Sequence, residues 1–330
     1  MLFYLILFLI AIVLIVYKYL YSNKSYDLKA KHVLITGGTK GIGYSVAVLA
    51  IESGANVSII ARNAEDLETT KMALLKKCSS NELKQKVLTF SLDVTSDYYD
   101  IEKTVTEAEA VCGPINALFC CAGTAVSLRF EETPIDEFKR MVDINYLGTV
   151  NVIKACLPSM KSTGKGGNIV LFSSIAGVFG LYGYSAYSPS KFAIVGLAQC
   201  LAMELKTYNI SVCVSYPPDT DTPGFEHEQI TKPIETKLIS DAGGLYSPDI
   251  VAKHTMIDAM SGKFHSTVGF ESWMIRTLCC GMSPITSTLD AVLQVLSMGL
   301  FRIVGLIFLR KCDSIIKKCS QEKQLNKKSQ

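Results

Sequence analysis

The chain is short of charge, of histidine and of tryptophan. Asp, Glu, Lys and Arg make up 19% of its 330 residues, against about 25% in an average soluble domain, so a highly charged, freely soluble protein is excluded. With 49% hydrophobic residues, disorder is excluded as well. The net charge is only +3, too little for an electrostatic grip on nucleic acid. Four histidines and eleven cysteines are present, but no C-x-x-C and no Cys/His group at zinc spacing. Neither a disulfide framework nor a metal site is therefore expected, and the thiols read as reduced, in a cytosol-facing protein. Internal repeats and low-complexity linkers are absent too. What remains is room for one α/β domain of about 230–250 residues with appendages.

The apolar residues concentrate at the two ends. Residues 1–17 (MLFYLILFLIAIVLIVY) carry no charge, and Lys18, Lys24, Lys29 and Lys31 follow. A helix of that length rises about 25 Å, close to the ~30 Å of a bilayer core, and Lys18 can snorkel to extend it. The rival reading, a cleaved secretory signal, wants basic residues before the apolar run and a small-residue cleavage site. Neither is there, so residues 1–22 are expected to be an uncleaved transmembrane anchor. The positive charge that follows it places the body in the cytosol. At the other end, Met274 to Leu309 is mostly apolar but interrupted by Arg276, Pro284, Asp290 and Arg302. Arg302 is costly at mid-bilayer, so residues 271–310 are expected to lie in the interface or to enter and return as a hairpin. A buried helix of the domain is the alternative. Residues 311–330 read as a solvated basic tail drawn to anionic lipid. They end Lys327-Lys328-Ser329-Gln330, a dilysine pattern of endoplasmic-reticulum retrieval.

Between the ends, residues 30–270 alternate strand and helix. Apolar runs at 32–36, 56–61, 86–94, 115–123, 167–174 and 210–218 are separated by helical patterns, the longest at 135–160 and 186–206. This alternation predicts a Rossmann-type doubly wound parallel sheet with helices on both faces.

The first chemical motif is Thr36-Gly37-Gly38-Thr39-Lys40-Gly41-Ile42-Gly43, lying between a strand and a helix. Glycines there let the backbone turn tightly and approach a pyrophosphate, whose charge the N–H groups of the helix N-terminus then carry. About 20 residues on, where an acidic side chain would accept from a ribose 2′-OH, stands Arg62. A guanidinium cannot accept from a hydroxyl but pairs bidentately with a 2′-phosphate. Lys40 adds a second cation, so NADPH is the expected cofactor.

The second motif is Tyr187-Ser188-Pro189-Ser190-Lys191, with Ser174 thirteen residues earlier. Residues four apart share a helix face, and a nearby ammonium is expected to lower the phenol's pKa toward the working range, making Tyr187 a general acid.

These residues resemble the short-chain dehydrogenase/reductase family over nearly all of 31–225. The resemblance implies a catalytic tetrad of Asn145, Ser174, Tyr187 and Lys191. Ser174 would hold the substrate oxygen, Tyr187 exchange the proton, Lys191 hold the nicotinamide ribose, and Asn145 support a water relay. It also implies an adenine-edge contact at Asp93-Val94 and a carboxamide contact at Thr222. The family's usual N-N-A-G reads Cys120-Cys121-Ala122-Gly123 here, which puts in doubt the hydrogen bond that the first Asn makes to a neighbouring strand. A finer resemblance, to membrane-bound lipid-ketone reductases of the family, rests on Tyr216-Pro-Pro-Asp-Thr-Asp-Thr-Pro-Gly-Phe225, Cys280-Gly-Met-Ser-Pro-Ile-Thr286 and Met298-Gly-Leu-Phe-Arg302. It implies reduction of the C3 ketone of a long-chain 2-amino-1-hydroxy ketone at the endoplasmic-reticulum membrane. A steroid or retinoid ketone is the alternative substrate, and a catalytically silent membrane scaffold the alternative class. Whether the chain forms a homo-oligomer is left open.

Overall fold

The computed structural model describes residues 27–78 and 84–328. The anchor expected at residues 1–22 lies outside them. Seven strands form one sheet: β1 (His32–Thr36), β2 (Asn56–Ala61), β3 (Val87–Ser91), β4 (Ile115–Cys120), β5 (Gly167–Phe172), β6 (Ile210–Tyr216) and β7 (His265–Thr267). Their order is β3-β2-β1-β4-β5-β6-β7, and every pairing is parallel. Six are the expected strands, several ending short of the apolar run. The seventh has three residues and no apolar pattern.

The helices of the domain are α1 (Gly41–Glu52), α2 (Ala64–Leu75), α3 (Tyr98–Cys112), α4 (Ile135–Val142), α5 (Gly148–Ser162) and α6 (Tyr187–Glu204). After β6 come α7 (Pro223–Thr231), α8 (Ile234–Ser240) and α9 (Pro248–Met260). A parallel sheet is buried on both faces, and the strands alternate accordingly. Val33, Ile35, Val57 and Phe119 pack with α1, α2 and α9. Leu34, Leu118 and Leu171 pack on the opposite face with α3, α5 and α6. Caps set several helix starts: Asn63, Asp97, Thr222 and Ser247 each accept from a first-turn N–H.

The helix expected to run unbroken from 135 to 160 contains a π-turn at Asp143–Leu147, between α4 and α5. A π-turn inserts an extra residue into the helical winding and commonly re-aims a side chain at a functional site. Here it holds Asn145, 1% exposed, against the core.

In the C-terminal region the hairpin alternative is overturned. After α10 (Phe270–Leu278) comes α11 (Thr288–Lys328), one continuous helix of 41 residues and no hairpin. Its inner stripe, Leu293, Ser297, Phe301 and Cys319, is buried. Trp273, Leu293 and Phe301 form one apolar cluster, and burying three such side chains is worth about 1.5–3 kcal/mol each. Ion pairs add less: Arg276 to Asp290 at 3.2 Å and Lys323 to Glu235 at 2.6 Å, the latter part-exposed and worth about 1 kcal/mol or less. The apolar stripe therefore docks the helix. Residues 311–328 continue the same helix, in which Cys319 and Lys323 extend the inner stripe while Lys311, Lys317 and Lys318 stay exposed. Facing outward are Val295, Leu296, Ile303 and Ile307, with Arg302 also exposed. Among the described residues, Thr288–Leu325 is the helix long and apolar enough to cross a membrane.

Candidate active site

The strand order reverses about β1 and β4, and a parallel sheet opens a crevice at such a point, beyond the strand C-termini. A cavity of about 780 Å³ lies there. It is lined at one end by the glycine-rich loop and at the other by α7, α10 and α11.

At the nucleotide end, Gly37 has φ +67°, and a Cβ on it would meet the Ala122 backbone at 2.9 Å. Only glycine lets the loops after β1 and β4 touch in this way. Gly41 has φ +54°, and a Cβ there would strike Thr222 at 2.8 Å, so Thr222 sits against the glycine loop. Its hydroxyl accepts from Phe225 N at 3.2 Å and caps α7. Gly37, Thr39, Lys40, Gly41, Ile42, Gly43, Arg62, Asp93, Val94 and Thr222 all line the cavity. Lys40 pairs with Asp66 at 2.6 Å and Arg62 with Asp93 at 3.8 Å, their side chains 57% and 75% exposed. Asp93 also accepts from Thr95 N at 2.9 Å. Carboxylates that face only solvent-exposed cations surrender them readily to a phosphate. The first turn of α1 carries no acidic residue, which leaves its N–H groups free for an anion. Bare helix N-terminus, Lys40 and Arg62 together fit a dinucleotide bearing a 2′-phosphate.

At the other end, Ser174 opens a short 3-10 turn after β5 and accepts from Ala176 N at 3.2 Å. It lies beside Tyr187, the first residue of α6, and its side chain lowers the proton affinity of that phenol. Lys191, one turn on, has its Nζ 5.8 Å from the Tyr187 ring centre and donates to Phe172 O at 2.9 Å. The structure thus brings Ser174, Tyr187 and Lys191 together, as the motif implied. Asn145 accepts from Thr124 N at 2.8 Å and donates to Thr124 O at 3.0 Å and Ser190 Oγ at 2.9 Å. It ties the loop after β4 to the Tyr187 helix. The same loop is held by Ala122 N donating to Thr36 Oγ1 at 3.1 Å, in a position where the Cys120 and Cys121 thiols leave it without an asparagine. Burial pushes the Cys120 thiol up to about 12.

The expected lowering of the Tyr187 pKa is corrected. Burial, then the nearby Glu228 carboxylate, pushes the phenol up, with Ser174 opposing and Asp219 adding to the rise. Tyr187 is therefore held as the neutral acid. Lys191 is pushed down to about 8 by burial, the Cys121 thiol opposing. It remains charged at neutral pH.

Sequence reasoning missed a second group on the cavity wall. Tyr184, its ring 5.4 Å from that of Tyr187, donates to Glu228. Lys232 lies 3.2 Å from Glu228 and 3.5 Å from Asp219. The segment reads as a proline-rich loop, yet Glu228 and Lys232 at i and i+4 were a helical signal within it. Missed as well was the apolar wall, where Phe179, Met274, Leu278, Phe301 and Phe308 line the cavity, with Phe179 and Phe308 edge to face at 6.3 Å.

Comparison with known proteins agrees with this geometry. The family model for short chain dehydrogenase matches residues 31–232. The "3-dehydrosphinganine reductase" of Danio rerio is 44% identical over 319 residues, covering 96% of this chain and 95% of that one. The "3-ketodihydrosphingosine reductase" of Dictyostelium discoideum is 33% identical, covering 99% of this chain and all of that one (100%). Among solved structures, levodione reductase superposes with a TM-score of 0.67 at 25% identity, over 74% of this chain and 99% of that one.

Proposed function

We propose a function for this chain from the premise that it belongs to the short-chain dehydrogenase family: it reduces 3-ketodihydrosphingosine to sphinganine. Relatives of 44% identity over 96% of the chain carry that activity in their names. The cofactor is NADPH, held by the glycine loop 37–43, the α1 N-terminus, Lys40 and Arg62, with Asp93, Val94 and Thr222 along its path. When bound, NADPH supplies the hydride that reduces the C3 carbonyl. The chain's own residues hold the carbonyl and deliver the proton. Ser174 Oγ and the Tyr187 hydroxyl converge on the substrate oxygen, and Tyr187, kept neutral by burial, gives it the proton. Lys191 places a buried positive charge beside them, and Asn145 fixes the helix that carries both.

The observation that carries this reading is that one cavity joins the Ser174–Tyr187 pair to an apolar wall built by α10 and α11. A long alkyl chain fits that wall and favours membrane by about 0.8 kcal/mol per methylene. We read α11 as lying along the domain with Val295, Leu296, Ile303 and Ile307 toward the bilayer, because both its ends and its middle contact the domain. Residues 1–22 then serve as the anchor, residues 30–270 as the reductase domain on the cytosolic side of the endoplasmic-reticulum membrane, and 271–310 as its membrane-facing edge.

The test is a substrate panel. Purified protein with NADPH is expected to convert 3-ketodihydrosphingosine to sphinganine and to leave steroid and retinoid ketones largely unreduced. Preference for a steroid or retinoid would move the chain to another lipid branch of the family, and no reduction of any ketone would leave a scaffold.

A further inference from the structure

We propose that Glu228 and Asp219 form the recognition site for the ammonium group that the substrate carries next to its ketone. The inference rests on the reading of 3-ketodihydrosphingosine as substrate and adds the residues that select it.

Place comes first. Both carboxylates line the same cavity as Ser174 and Tyr187. Tyr184, in ring contact with Tyr187 at 5.4 Å, donates to Glu228, which fixes that carboxylate beside the reacting end. In the substrate the amine sits on the carbon adjacent to the carbonyl. A carbonyl oxygen held by Ser174 and Tyr187 therefore brings the ammonium within reach of this wall.

Charge comes second. Two carboxylates share one ammonium, that of Lys232, at 3.2 and 3.5 Å. Asp241 adds a further negative field on Asp219. The Lys232 side chain is fully buried (0% exposed) behind them, and its Nζ makes no hydrogen bond of good geometry. One negative charge stands uncompensated in a half-enclosed site, where an incoming cation is worth far more than in water. Burial holds both carboxyls above the usual carboxylate range, the state expected of acids awaiting a counter-charge. Steroid and retinoid ketones bring no such cation, so this wall discriminates against them.

The rival role is a strut in which Tyr184, Glu228 and Lys232 merely brace α7. The two roles separate by a ratio. The measurement is kcat/KM for 3-ketodihydrosphingosine divided by kcat/KM for the desamino ketone of the same chain length, in wild type, Glu228→Gln and Asp219→Asn. The Kd for NADPH and a thermal melt accompany each variant. Wild type is expected to favour the amino ketone, and either substitution to reduce that preference about tenfold or more, or about 1.4 kcal/mol, chiefly through KM. A strut would lower both substrates alike and leave the ratio fixed, which overturns the proposal. If Glu228→Gln melts early or loses NADPH, the Asp219→Asn ratio decides. If wild type does not reduce the amino ketone at all, the substrate reading fails. If it reduces the amino ketone without preference over the desamino compound, the substrate reading stands and the recognition site falls.

Discussion

At the nucleotide end of the crevice Lys40 and Arg62 stand largely in water, each beside one carboxylate. At the chemical end Lys191 and Glu228 are buried and Tyr187 half-buried, and the Glu228 carboxylate raises the hold of the Tyr187 phenol on its proton. Exposed pairs are worth about 0–1 kcal/mol and exchange partners at little cost, so that end can choose a cofactor one residue at a time. Removing one member of a buried charged set costs about 3–5 kcal/mol. The chemical end therefore behaves as a unit.

The widest break between the two ends is expected from Tyr187→Phe. Loss of a general acid costs about 10²–10⁴ in rate, while the Kd for NADPH should stay within a few-fold because the ring remains. Turnover near wild type in a purified variant would remove Tyr187 from the proton-donor role. Arg62→Ala should do the converse. One charge-assisted contact is worth about 1.5–3 kcal/mol, so NADPH binding should weaken about tenfold to a hundredfold, with NADH almost unaffected. Equal loss for both cofactors would make the arginine structural.

A pH profile comes next in size. Lys191 has its affinity for the proton depressed to about 8, so it is charged below that value and neutral above it. The free-enzyme kcat/KM for NADPH should hold through neutrality and fall about tenfold per pH unit beyond the turning point. A profile flat to high pH would show that the Lys191 charge is not used. The smallest effect is expected from Asp66→Asn. Releasing Lys40 from its 2.6 Å partner should tighten NADPH about two- to threefold, in line with an exposed pair. A weakening instead would mean that Asp66 positions Lys40.

The sheet and the glycine loop were legible because each rests on local chemistry: apolar runs of strand length, and glycines where the backbone approaches itself. The strand β7 was not, since His265–Thr267 pairs with β6 only because the rest of the sheet is already there. The π-turn at Asp143–Leu147 slips the helical phase by a single residue, too little to interrupt the helical pattern of 135–160. In α11 the apolar residues go all round, so the sequence cannot say which stripe meets the domain. Trp273 and the Phe179–Phe308 contact settle that from far along the chain. At the site, Ser174, Tyr187 and Lys191 were legible as a spaced set. The direction of the Tyr187 shift was not, because Glu228 reaches it from a segment some 40 residues later.

The most direct test of the account is isotope transfer at the chemical end. Wild-type protein in lipid vesicles is given 3-ketodihydrosphingosine and NADPH deuterated on the transferable C4 position, and sphinganine is analysed by mass spectrometry. The account predicts one deuterium at C3 of sphinganine, formed in step with NADPH consumption. Unlabelled sphinganine, or NADPH binding with no sphinganine formed, would contradict it.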